Sequence, residues 1–185
     1  MIPVALDPRF ARLAVAGNGP LALRRLAALR TGGASDILLF ADSPDDALAE
    51  AAGTALRRSL PGAADLASLH ALWIAGLRRD RAEALAGAAR AAKILVNVED
   101  VPELCDFHSV AEIRRGDLLL TVSTNGRAPG LASVIRRDIE RRYGPEWQGR
   151  VAEISALRAD WRRDGVPMPV AAQRIAAIAA ERNWL

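Results

Sequence analysis

Four short apolar runs, separated by helix-like segments, constrain the fold of this chain more than any other feature of its sequence. The runs lie at 12–16, 36–40, 69–75 and 93–98. Between them apolar residues recur at helical spacing, as in 21–29, where Arg24 and Arg25 fall on the other face. Strands that alternate with helices form parallel sheets with right-handed crossovers. The order therefore predicts an α/β fold built on a parallel sheet.

Local signals predict the bounds of two of these helices. Ser43 is a suitable N-cap, and a helix that begins there is expected to run to about Ser59. Asp80 and Glu83 resemble a capping box for a helix that ends near Ala92.

The pattern changes after Pro102. Two strand-like runs at 107–113 and 117–123 are separated by Arg115-Gly116 and predict a hairpin. Three helices are then predicted, one over 131–139 that Gly144-Pro145 ends, followed by two at 147–163 and 169–183.

Composition narrows the choice of ligand. The chain has 185 residues, a net charge of +3 and a pI near 9.9, and Lys93 is its only lysine. Arginine binds carboxylates and phosphates in bidentate fashion, so a ligand with several anionic groups is favoured. The arginines alternate with acids along helices, which is typical of solvated faces, and we expect no nucleic-acid partner.

The cysteine count and the apolar stretches indicate the cellular setting. Cys105 is the only cysteine, which excludes an intrachain disulfide and a metal site built on several thiolates, and no metal site is predicted. The N-terminus lacks the pattern of a signal peptide, and the apolar stretch at 66–77 is too short to span a membrane. We therefore expect a cytoplasmic protein without a membrane partner.

A glycine-rich turn follows the first predicted strand and opens the first helix. It fits G-x-G-x-x-A, the pattern of a turn that cradles a dinucleotide pyrophosphate at a helix N-terminus. The residues expected to contact the cofactor are Gly17, Asn18, Gly19, Pro20 and Leu21, with Ala22 allowing close packing of the helix on the sheet.

An acidic residue ends the second predicted strand. There Asp42 is placed to bind the ribose 2′-hydroxyl of NAD, and it would repel the 2′-phosphate of NADP. Alternatively, Asp42 belongs to the helix start at Ser43. Ala41, and Gly76 after the third strand, complete the predicted cofactor-binding set.

A second acidic residue, Asp100, follows the fourth predicted strand. Parallel sheets bind ligands beyond the carboxyl ends of their strands, so Asp100 would face the same ligand as the glycine-rich turn. A cofactor site with one such carboxylate is typical of a dehydrogenase. The alternative is that Asp100 only caps the turn at Val101-Pro102.

Four motifs, in order, resemble the precorrin-2 dehydrogenase family, which forms the N-terminal module of siroheme synthases. The family turn G-G-G-x-V-A-x-R-K corresponds to 17–25, and V-N-V-x-D-x-P-x-L-C-D-F corresponds to 96–107. R-G-D-L follows at 115–118, and S-T-x-G-x-x-P follows at 123–129.

The resemblance implies a reaction and its residues. Members oxidise precorrin-2, an octacarboxylate tetrapyrrole, to sirohydrochlorin with NAD, and some also insert ferrous iron. Asp100 matches the family aspartate implicated in catalysis, where a carboxylate could accept a ring proton. The residues expected to bind the substrate are Asn97, Ser123, Thr124, Asn125 and Gly126.

The resemblance also implies a domain organisation. We expect a Rossmann-type NAD-binding domain at 1–110, a strand-helix region that forms a homodimer at 111–145, and a helical region at 146–185. Two other functions stay open. A non-catalytic module that binds a dinucleotide or a tetrapyrrole is favoured by Ala75-Gly76-Leu77-Arg78, where the family has A-T-D-D. A chelatase would require Asp100 but not Asp42.

Overall fold

The computed structural model describes residues 2–185 and divides the chain into two compact units. The first unit ends at Ser109, and the second begins at Val110. Within residues 2–185, no helix is both long and apolar enough to cross a membrane.

The first unit contains a parallel sheet of five strands, in the order β3-β2-β1-β4-β5. The strands are β1 Leu13–Gly17, β2 Ile37–Phe40, β3 Leu56–Arg57, β4 Ala71–Ala75 and β5 Leu95–Val98. Its helices are α1 Gly19–Thr31, α2 Asp46–Ala52, α3 Ala63–Leu66 and α4 Arg79–Ala91. All four apolar runs form strands, which confirms the predicted α/β fold.

The central strands explain why the runs are continuously apolar. Every residue of β1 and β4 is buried, because helices cover both faces of the sheet. Ala14 and Leu72 belong to one apolar cluster, and Val15 and Trp73 belong to the other. Ala22 and Leu26 of α1 belong to the second cluster, which packs this helix against the sheet.

Two predicted helix boundaries are wrong. The helix expected from Ser43 to about Ser59 is capped by Asp45, whose carboxylate accepts from the Leu48 amide, and it ends at Ala52. Gly53, at a φ of 56°, turns the chain out of the helix and leads through a short 3₁₀ segment into β3. The edge strand β3 was missed because two paired residues leave no periodic signal.

The predicted capping box of α4 is also absent. Arg78 occupies the N-cap, and no side chain caps it. Instead Asp80 pairs with Arg78, and Glu83 pairs with Arg79.

The second unit is a hairpin followed by three helices, as predicted. β6 Ala111–Arg115 pairs antiparallel with β7 Leu118–Val122. The helices are α5 Pro129–Arg142, α6 Trp147–Arg163 and α7 Met168–Glu181. The first hairpin strand begins later than predicted, because Phe107 instead packs edge-on against Trp73 in the first unit, with 4.9 Å between ring centroids.

Candidate functional site

Two loops at the carboxyl edge of the sheet touch each other through their backbones. A β-carbon at Gly17 would lie 1.6 Å from the Ala75 carbonyl oxygen, and one at Gly76 would lie 2.1 Å from the carbonyl oxygen of Asn18. The Asn18 amide donates a 3.2 Å hydrogen bond to the Ala75 carbonyl. Only glycine fits at Gly17 and Gly76, so the glycine-rich turn is held directly against the loop after β4.

The start of α1 faces open space. Gly19 has a φ of 64°, and beyond its neighbours in the chain and the backbone of its own helix, no atom lies within 4 Å of the position of its missing β-carbon. No side chain caps this helix, so its first backbone amides keep their hydrogen-bonding capacity. A pyrophosphate can reach the positive N-terminal end of α1 without meeting a β-carbon at Gly19. The residues present therefore fit a dinucleotide.

Asp42 is held by two partners at this edge. The Asn18 side-chain amide donates to Asp42 Oδ1 at 2.9 Å, and Arg81 donates to Asp42 Oδ2 at 2.6 Å. Asn18 Oδ1 in turn accepts from the Ser43 amide at 3.0 Å. The Asn18 hydrogen bond and then the Arg81 guanidinium lower the pKa of the Asp42 carboxyl, which is therefore ionised at neutral pH.

The structure separates Asp42 from the helix start. The cap of α2 is Asp45, and Asp42 makes no capping bond. Ala41 is fully buried, and its amide bonds the carbonyl of Arg57.

Arg81 was missed because it follows Asp42 by 39 positions. The signal that could have found it is its place in the first turn of the helix after β4, at the same edge of the sheet.

Asp100 follows β5 at the same carboxyl edge. It has a φ of 61°, a backbone conformation that is uncommon outside glycine, and its side chain is exposed. No donor within residues 2–185 hydrogen-bonds its carboxylate. The turn itself is closed by a backbone bond from the Val101 amide to the Val98 carbonyl, at 3.2 Å. Asp100 therefore does not cap the turn, and its oxygens are available to a ligand.

Two neighbours fix the turn that carries Asp100. The preceding Glu99 forms a largely buried ion pair with Arg25 of α1, whose Nε lies 3.2 Å from the carboxylate. The thiol of Cys105 contacts the amide and the carbonyl of Val98, each at 3.2 Å. Burial raises the pKa of the Cys105 thiol, so the group stays protonated and can donate to the Val98 carbonyl.

Asn97 and Asp106 hold the segment after this turn. Asn97 is 6% exposed, and its side-chain amide donates to the Phe107 carbonyl at 2.9 Å. Asp106 accepts from the Val96 amide at 3.0 Å and from Arg90 at 2.8 Å. Both side chains face protein partners.

The other predicted substrate-binding residues lie in the second unit, between β7 and α5. Asn125 and Gly126 have positive φ values of 56° and 72°. The Ser123 hydroxyl accepts from the Asn125 amide at 3.3 Å, and the Thr124 hydroxyl accepts from the Ala128 amide at 3.2 Å. These bonds form a compact polar turn at the start of α5.

Over the described part of the chain, no group of three or more potential metal ligands is found.

The sheet order, the glycine-rich turn at the start of α1 and the acid after β2 define a dinucleotide-binding domain of the Rossmann type. The family model described as NAD(P)-binding matches residues 4–111, and the one described as sirohaem biosynthesis protein central matches residues 115–142. The first match covers more than half of the chain, and the chain therefore belongs to this NAD(P)-binding family. The sequence prediction of the family is confirmed.

Two curated proteins with similar sequences both carry names that refer to siroheme synthesis. Siroheme synthase of Methylococcus capsulatus is 34% identical over 171 residues, which is 91% of this chain and 36% of that protein. Siroheme biosynthesis protein met8 of Schizosaccharomyces pombe is 47% identical over 77 residues, 42% of this chain and 29% of that protein. The chain thus spans about a third of the length of these curated relatives.

A solved structure shares the fold. The protein described as SirC, precorrin-2 dehydrogenase, has a TM-score of 0.77 and 21% identity, with 100% of this chain and 92% of that one covered.

Proposed function

We propose that the protein oxidises precorrin-2 to sirohydrochlorin with a nicotinamide dinucleotide. The observation that carries the proposal is the placement of the unpaired Asp100 carboxylate at the same sheet edge as the dinucleotide-binding turn. The names of the relatives, siroheme synthase and met8, and of the similar structure support the substrate. The reaction is a step in siroheme biosynthesis.

The reaction removes two hydrogens from the substrate, one as a hydride and one as a proton. A bound nicotinamide supplies the hydride acceptor. Asp100 accepts the proton, because its carboxylate is exposed and has no competing donor among the described residues. Arg25 and Cys105 act by fixing the turn through Glu99 and Val98.

NAD is the proposed cofactor of the reaction. The two donors on Asp42 occupy one lone pair on each of its oxygens and leave the others for the hydroxyls of an adenosine ribose. The ionised state of Asp42 favours these hydroxyl donors.

The turn formed by Ser123, Thr124, Asn125 and Gly126 is proposed to bind carboxylates of the substrate. The turn lies at the start of α5, where no side chain caps the first backbone amides of the helix, and uncapped amides at a helix start bind anions. In the first unit, Asn97 is proposed to contribute to substrate binding through the Phe107 carbonyl that it holds. The proposal includes a homodimer and a cytoplasmic setting, since the free Cys105 suits a reducing compartment.

The test compares binding with turnover. Gly19→Ala adds a β-carbon in the open space at the start of α1, and we expect the affinity for NADH to fall at least about tenfold. Gly33→Ala is the matched control, since its φ is also positive, at 92°, and its β-carbon would meet only Pro8 at 3.7 Å. Calorimetric titration measures both variants.

Turnover is followed by incubating the protein with precorrin-2 and NAD and recording the absorbance of sirohydrochlorin. Formation of the product supports the proposal. A protein that binds NADH and tetrapyrrole without turnover would instead be a binding module, and one that binds no dinucleotide would overturn the dehydrogenase function.

A further inference from the structure

The pair of Arg81 and Asp42 places a cation beside the acid that would select NAD. Arg81 donates to Asp42 Oδ2 at 2.6 Å, and their side chains are 42% and 32% exposed. Arg81 is the third residue of α4, which begins just after the Gly76 loop. A positive and a negative group therefore lie together at the point where the cofactor ribose is proposed to bind.

This pairing changes what Asp42 can exclude. An isolated carboxylate repels a 2′-phosphate, and that repulsion is the usual reason why such a site rejects NADP. Here the neighbouring guanidinium cancels much of the negative charge, and it keeps further N–H groups available for a phosphate. Only one Arg81 nitrogen bonds Asp42, so the guanidinium can contact a ligand phosphate through its other N–H groups while it stays beside Asp42.

We propose that Arg81 sets the cofactor specificity of this site by admitting the 2′-phosphate of NADP beside Asp42, so that the protein binds both NAD and NADP. The inference rests on the proposed dinucleotide-binding function and adds a residue that determines its specificity. Asn18 supports this arrangement, because its amide holds the other Asp42 oxygen in place while Arg81 contacts both Asp42 and the phosphate.

The experiment titrates NADH and NADPH into the 185-residue protein and two variants by calorimetry. We expect the parent to bind NADPH within about tenfold of NADH. Arg81→Gln should weaken NADPH at least about tenfold more than NADH, because only NADPH loses a charged contact. Arg79→Gln is the matched control: it removes the same charge from the same helical turn, but Arg79 pairs with Glu83 and Glu103.

The outcomes are distinct. If Arg81→Gln weakens both cofactors equally, Arg81 only positions Asp42 and the inference is wrong. A parent that binds NADH and rejects NADPH also overturns it, while the proposed function survives. If the control changes the NADPH to NADH ratio as much as Arg81→Gln does, the effect is general electrostatics and not this contact. Binding of neither cofactor would overturn the proposed function and the inference with it.

Discussion

Gly76 lies so close to Asn18 that a β-carbon on Gly76 would be 2.1 Å from the Asn18 carbonyl oxygen. Asn18 also holds Asp42 through its side chain. One residue therefore connects the loop after β4 with the acid after β2, and the shape of the cofactor-binding edge depends on this contact.

Gly76→Ala is predicted to destabilise the first unit. The variant places an alanine at a φ of 72° and in overlap with backbone that cannot move aside. We expect a cost of about 1–2 kcal/mol for the backbone conformation and about 1–3 kcal/mol more for the overlap. Gly33→Ala, which has only the first cost, is the control. Urea denaturation measures both, and equal losses would contradict the prediction.

The pH dependence of stability should report the Asp42 contacts. Asn18 and Arg81 lower the pKa of Asp42 from its usual value of 3.8. A lowered pKa in the folded state gives stabilisation that is present above the unfolded pKa and is lost as the pH falls through the folded one. The free energy of unfolding should therefore fall faster in the parent than in Asp42→Asn below about pH 4, with a constant difference at neutral pH. If the free energies of unfolding of the parent and of Asp42→Asn change in parallel over this acidic range, the prediction is wrong.

The strands and the glycine-rich turn depend on local sequence, whereas the contacts around Asp42 do not. The strands and the glycine-rich turn were predictable because apolar runs and glycines act over a few residues, and the turn occupies the predicted place at the start of α1. The pairing of Arg81 with Asp42 was not predictable from the sequence, because it depends on β1 lying between β2 and β4 in the sheet.

The support of Asp100 shows the same limit. Its position after β5 follows from the sequence, but its positive φ and the ion pair of Glu99 with Arg25 do not. These features arise where a loop meets a helix that is distant in the chain. A local sequence pattern does not predict such a contact.

The proposed homodimer predicts an effect of mutations on α5. Leu131 and Val134 are 54% and 52% exposed on this helix, a large apolar exposure for a monomer. In a symmetric dimer each substitution acts twice, so Val134→Asp should weaken association about 10²-fold or more. Met168→Asp on α7, where the methionine is 64% exposed, is the control. Light scattering at micromolar concentration measures the change, and a monomeric parent would contradict the dimer.

Asp100 is the proposed proton acceptor of the reaction. Asp100→Asn preserves the shape of the side chain but removes the base, and we expect turnover of precorrin-2 to fall on the order of 10²-fold with NADH affinity unchanged. Asn is also tolerated at positive φ better than most residues, so the turn at 61° should persist.

Asp106→Asn is the comparison, and the structure predicts the opposite result for it. Asp106 accepts bonds from the Val96 amide and from Arg90, so its loss should cost about 1–2 kcal/mol of stability. Its turnover at moderate temperature should stay near that of the parent, because both of its oxygens face the protein. Kinetics with precorrin-2 and NAD, together with urea denaturation of each variant, separate the two effects. An Asp100→Asn variant that turns over at the parent rate would show that another group accepts the proton.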